Sequence, residues 1–77
     1  MSTAEKIFDI LRTQLRSIYG ERMLKLEVTD TMPYPMKEDL YLVRYNINLE
    51  NELPIRRAQI VVDIKNEELR KFEPGLL

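Results

Sequence analysis

Histidine and cysteine carry much of the chemistry of enzymes, and this 77-residue chain has neither. Their absence removes the usual nucleophile–base pairs, in which an imidazole takes a proton from a serine or cysteine. It also removes the thiolate and imidazole ligands on which most zinc, copper and haem sites depend. Carboxylates remain for acid–base work. Glu50 and Glu52 flank a turn, and Glu38-Asp39 end a loop. An exposed carboxylate has no reason for a raised pKa, and none of these is expected to be buried. A glycine-rich phosphate loop is excluded, because the only glycines are Gly20 and Gly75. The expectation is a chain that is not an enzyme and has no cofactor and no metal site.

Two groups of residues could instead bind a partner. The first is the polar parity of the three strands described below: Lys25, Arg44, Asn46, Asn48, Arg57 and Gln59. It is polar and moderately basic, which suits a nucleic-acid backbone. It lacks the exposed aromatics on which unpaired bases stack. The plainer reading is a solvated sheet face with cross-strand pairs such as Glu27 beside Arg44. The second group is Met32, Tyr34 and Met36, which alternate with Pro33 and Pro35. Apolar side chains on a stiff loop lose little entropy on binding, and methionine adapts to varied partners. The competing reading folds this loop over the open end of the core, which a small domain needs to cover.

Composition bounds the rest. With 12 basic and 13 acidic side chains the charge is nearly balanced, so no bulk attraction to nucleic acid or an acidic membrane follows. A secreted domain of this size would usually carry disulfides, and the lack of cysteine makes the expected location cytoplasmic. No signal peptide is read at Met1-Ser2-Thr3-Ala4-Glu5, and no apolar run approaches the roughly 18 residues of a membrane span.

The elements that must position these residues follow from periodicity. Ser2-x-x-Glu5 is a capping box and starts a helix at about Thr3. Ala4, Ile7, Phe8, Leu11, Leu15, Ile18 and Tyr19 fall in one stripe, Ile10 falls outside it, and Gly20 ends the helix. Strand one spans about Arg22 to Thr29, with Leu24, Leu26 and Val28 on one side. Residues 30–39, with two prolines, read as a loop. Leu40 to Leu49 is the spine: Tyr41, Val43, Tyr45, Ile47 and Leu49 form an apolar face, and Arg44, Asn46 and Asn48 lie opposite. Strand three spans about Ile55 to Ile64, with Ala58, Ile60, Val62 and Ile64 inward and Arg56 at the rim or a bulge. Asn66 caps a short helix, Glu67 to Phe72, which stops before Pro74-Gly75.

The predicted fold is therefore α+β, one domain over residues 1–77. It has two layers in the order α-β-β-β-α, with a three-stranded antiparallel meander, strand two central, and the N-terminal helix on one face. The order resembles that of double-stranded-RNA-binding domains. The second helix, reading Asn66-Glu67-Glu68-Leu69-Arg70-Lys71, lacks that family's lysine-rich start, so no residue roles are carried over. Leu40, Leu42 and Val61 fall on the outer parity, where a monomer would expose them, and Leu42 and Val61 could be neighbours across strands. With two sheet edges that are not strongly protected, this points to a homodimer; the competing reading covers Leu42 and Val61 with the C-terminal segment. The functional reading is a non-catalytic, self-associating protein-interaction module with partner residues Met32, Tyr34, Met36, Leu42 and Val61. The alternative is a small RNA-binding domain that uses Lys25, Arg44, Asn46 and Arg57.

Overall fold

The strand β2, Leu40–Leu49, has its predicted bounds and organises the sheet. In a strand, successive side chains point to opposite faces. Tyr41, Val43, Tyr45, Ile47 and Leu49 accordingly meet the helix in one cluster. The computed structural model describes residues 2–35, 37–52 and 55–71. Within them the chain order is a helix α1 (Thr3–Tyr19), a short 3₁₀ turn (Gly20–Arg22), then β1 (Met23–Pro33), β2, β3 (Arg56–Asp63) and β4 (Glu68–Arg70). The four strands form one antiparallel sheet in the order β1-β2-β3-β4. The α+β class and the helix-on-sheet layering are as expected; the three-stranded meander and the second helix are not.

The helix begins where the capping box places it. The Ser2 hydroxyl accepts from the Glu5 N–H at 3.2 Å and donates to the Glu5 carboxylate at 3.1 Å. It ends at Gly20, whose φ is +62°. A Cβ there would meet nothing within 4 Å, so the backbone angle rather than space demands glycine. The buried stripe is Ile7, Ile10, Leu11 and Leu15. Ile10 is in the core, against expectation, while Phe8 and Ile18 are exposed. Periodicity defines a broad apolar arc, and the sheet meets its Ile7–Ile10–Leu11 side.

Strand β1 departs from simple alternation twice. Its register against β2 slips between Met23 and Lys25 and again between Val28 and Asp30, so Leu24 and Thr29 are inserted residues. Met23 rather than Leu24 is buried, with Leu26 and Val28 beside it against the core. The strand also runs further than expected, through Pro33, which pairs with Tyr41. Proline is admissible there because β1 is an edge strand. Strand β3 keeps an unbroken register from Leu40↔Asp63 to Ile47↔Arg56, so Arg56 is at the rim and no bulge is needed.

The predicted C-terminal helix is a hairpin instead. Residues 64–67 turn, and β4 pairs Glu68, Leu69 and Arg70 with Asp63, Val62 and Val61. The Asp63 carboxylate accepts from the Asn66 N–H at 3.0 Å, and Glu67 takes φ +52°, which no helix continues through. Asp63 shapes the turn by accepting from the Asn66 N–H and side-chain amide, so Asn66 acts as a donor here and not as the acceptor a helix cap would be. Leu69 packs on the core from β4; Phe72, Leu76 and Leu77 lie outside the described residues. The topological likeness to double-stranded-RNA-binding domains ends here, since no second helix forms over residues 67–71.

Two outcomes check this architecture. Val43 is fully buried in the cluster that also holds Leu11. An unpaired charge at that site costs several kcal/mol, on the order of a small domain's whole stability. Val43→Asp should therefore abolish the cooperative unfolding transition in circular dichroism. Glu67→Gly separates turn from helix. In a helix it should destabilise by about 1 kcal/mol; in the left-handed turn position it should be neutral or raise the melting temperature.

Candidate functional site

The helix covers one sheet face, and the other displays the chain's polar side chains in rows that run across the strands. The register places Lys25 beside Asn48, with Ile55 bordering the same hollow. The next row is Glu27–Asn46–Arg57, and the one after is Asp30–Arg44–Gln59. A fourth row is Met32–Leu42–Val61–Arg70. All four nucleic-acid candidates, Lys25, Arg44, Asn46 and Arg57, are thus on one face. Arg44 and Arg57 are diagonal neighbours that border a shallow depression with Thr29, Asn46 and Gln59. Glu27 faces Asn46, not Arg44 as expected, and accepts from its amide at 3.4 Å, a long hydrogen bond. Arg44 sits across from Asp30 because the bulge at Thr29 moves the register by one.

Lys25, Arg44 and Arg57 are exposed, and none of the ion pairs among the described residues uses them. Four of the other arginines contrast with this, whereas Arg16 on the helix is likewise exposed and outside these ion pairs. Arg22 and Arg56 both grip Glu52, at 2.8 and 2.7 Å, which ties the β2–β3 turn to the entry of β1. Arg12 pairs with Asp9 on the helix at 3.3 Å. Two acids, Glu27 and Asp30, lie in the same rows as the exposed cations, and both are on β1; Asp63 and Glu68 lie at the far end of the face. The edge strand β1 therefore shows Lys25 beside the two acids on this face, while β2 and β3 show Arg44 and Arg57.

Leu42 and Val61 are cross-strand neighbours, as expected, but they are not exposed: both are buried on this outer face. The Arg70 stem lies opposite Val61 on its way to Asp63 and screens it on one side. The contiguous apolar patch that motivated a homodimer is therefore not a surface. Met32 is 39% exposed in β1, and Tyr34 is half-buried, its N–H donating to the Leu40 carbonyl at 2.9 Å. Met36 lies outside the described residues. The proline loop shrinks accordingly, since Met32 and Pro33 belong to a strand.

Asp63 is the residue that sequence reasoning missed. Its side chain is 4% exposed and accepts from the Asn66 N–H at 3.0 Å and the Asn66 amide at 2.9 Å. Arg70 adds Nε at 3.1 Å and a terminal nitrogen at 3.0 Å. The signal was legible in Asp63-x-x-Asn66, an aspartate poised to bond a backbone N–H in a turn. These donors, Asn66 first and Arg70 after it, hold the Asp63 carboxyl below its usual pKa against the opposing effect of burial. Arg70 is half-exposed, so water still screens the pair. The arrangement is a structural staple, with no vacant acid–base function. Burial, with a smaller push from Tyr19, raises the Tyr45 phenol, which faces the core.

No known protein family, curated protein or solved structure matches this chain. Among the described residues, no helix is long and apolar enough to cross a membrane.

The staple has a signed pH consequence. A carboxyl whose folded pKa is depressed contributes stability that is fully present above its unfolded pKa and is lost as pH falls through the folded value. Asp63→Asn should cost about 1–2 kcal/mol at neutral pH through lost charge-assisted bonds. It should also flatten the decline of stability below about pH 4. Chemical denaturation of both proteins across that range measures it.

Proposed function

We propose that the chain is a non-catalytic interaction module whose working surface is the outer sheet face and whose partner is a protein surface of mixed charge. The observation that supports this reading is the set of exposed cations Lys25, Arg44 and Arg57, without ion-pair partners among the described residues, beside the acids Glu27 and Asp30. Exposed cations with no ion-pair partner among the described residues are available to a second molecule. Interfacial charge of this kind sets specificity and approach rate more than raw affinity.

The RNA reading draws on the same cations. It is weaker because Glu27 and Asp30 oppose a polyanion on that face, and because Tyr41 and Tyr45, the tyrosines of β2, face inward, which leaves the outer strand face without an aromatic for bases to stack on among the described residues.

One comparison tests both. The wild type and a Lys25→Ser/Arg44→Ser/Arg57→Ser variant are immobilised, and proteins retained from an extract of the source cell are compared. Species held by the wild type and lost by the variant are expected; identical retention would remove the face from the reading. In parallel, labelled single- and double-stranded RNA is titrated at low and high salt. Saturable binding whose log affinity falls linearly with log salt would replace the protein reading with the RNA one.

A further inference from the structure

The outer face is complementary to itself, and we infer that its mixed-charge partner is a second copy of this chain, docked face to face about a two-fold axis that runs parallel to the strands over β2. This inference rests on the reading of that face as the working surface. Glu27, Asn46 and Arg57 lie in one row, on β1, β2 and β3 in that order. A two-fold rotation about an axis along β2 leaves each row in place and exchanges its ends. Glu27 of one protomer then stands opposite Arg57 of the other, and the pair occurs twice, as an isologous contact requires.

The flanking rows fit the same operation. Asp30 is exchanged with Gln59, an acceptor with a donor. Lys25 is exchanged with the Ile55 side of its row, and a lysine stem packs on apolar surface while its ammonium reaches water. On the axis, Asn46 and Asn48 meet their own copies, and an amide both donates and accepts. Arg44 also meets its copy. Asp30 beside it in each protomer supplies the opposing charge on both sides. Leu42 and Val61 are buried within the chain and take no part.

The sheet edges do not offer an equal alternative. β1 carries two register shifts and Pro33, and β4 is three residues long. Bulges, proline and short edge strands all discourage pairing between sheets. Three strands by three rows, at about 4.8 Å between strands and about 6.8 Å between rows, give about 300 Å² per protomer. A standard stable interface buries about 800 Å² per partner. The dimer is therefore weak, forms at high protein concentration and is sensitive to salt.

Sedimentation equilibrium from micromolar to about millimolar protein, at about 20 mM and about 500 mM salt, tests the inference. The wild type should show a monomer–dimer equilibrium that weakens at high salt. Arg57→Glu and Glu27→Arg should each raise the dissociation constant at least about tenfold, because each places like charges opposite one another. Mixing these two variants should restore association near the wild-type level, since the heterodimer again has two opposite-charge contacts. Circular dichroism melts establish that both variants are folded, and Arg57→Lys should retain the dimer. A wild type that stays monomeric at low salt and millimolar concentration overturns the second copy as partner, while the module reading keeps its own capture test. A dimer indifferent to both charge reversals, or a mixture that associates no better than its components, overturns the docking geometry.

Discussion

The structure depends on one contact surface, the inward face of β2 against the Ile7–Ile10–Leu11–Leu15 side of the helix. Val43 and Leu11 are fully buried there, and Ile47 and Ile7 nearly so. A small domain buries too little surface to spare any of this apolar contact. The rest of the chain can be understood as serving it. The helix cap at Ser2 and the backbone angle at Gly20 set where the helix begins and ends. The Arg22–Glu52–Arg56 grip and the Asp63 staple tie down the turns on either side of β3. Gln14 reaches from the helix to the Glu67 carbonyl at 3.2 Å and anchors the last turn to the same layer.

A single helix on a four-stranded sheet leaves the second face to side-chain chemistry. Near the β1–β2 hairpin that face is closed by packing: Leu42 and Val61 are buried, and Asp63 is enclosed by its hydrogen-bond donors. Toward the other end it is polar and exposed. The contrast explains why the expected apolar patch is not a docking surface while the polar rows remain accessible. It also separates two kinds of arginine. Arg22, Arg56 and Arg70 are engaged in holding turns and strand ends, whereas Arg44 and Arg57 stand in the middle of the sheet without an ion-pair partner among the described residues.

Much of the fold was legible because the alternation over Val43–Leu49 of β2 and the matching parity of Ala58, Ile60 and Val62 in β3 leave one assignment of faces, and a shift by one residue would invert it. Val43, Tyr45 and Val62 were read inward and are buried. The inserted residues Leu24 and Thr29 were not legible, since alternation carries no mark of an extra residue. The bulge at Thr29 moves the partner of Arg44 by one residue, from Thr29 to Asp30, while Glu27 faces Asn46 through the register before the bulge, so the pairing of the candidate site was misread although its membership was not. The last element failed for a different reason. Asn66-Glu67-Glu68-Leu69-Arg70-Lys71 has good helix formers, but β4 gains a ladder with β3 and a core position for Leu69. Tertiary pairing of this kind overrides local propensity. The burial of Leu42 and Val61 lay beyond parity alone, which says which face a residue is on and not what lies above it.

The distribution of charge on the outer face is more informative than its sum. Counting Lys25, Arg44 and Arg57 against Glu27 and Asp30 leaves a single excess positive charge, too little to gather a polyanion. The position of the acids matters more. Both are on the edge strand, where Lys25 also lies, so a partner arriving over the middle of the sheet meets arginines, and one arriving over the edge meets two carboxylates and one lysine. A uniform polyanion satisfies the first region and is repelled by the second. A surface that carries the same pattern in reverse satisfies both. The nearest such surface is the chain's own outer face turned about β2, where each acid on the edge strand lies over the arginine and glutamine of β3.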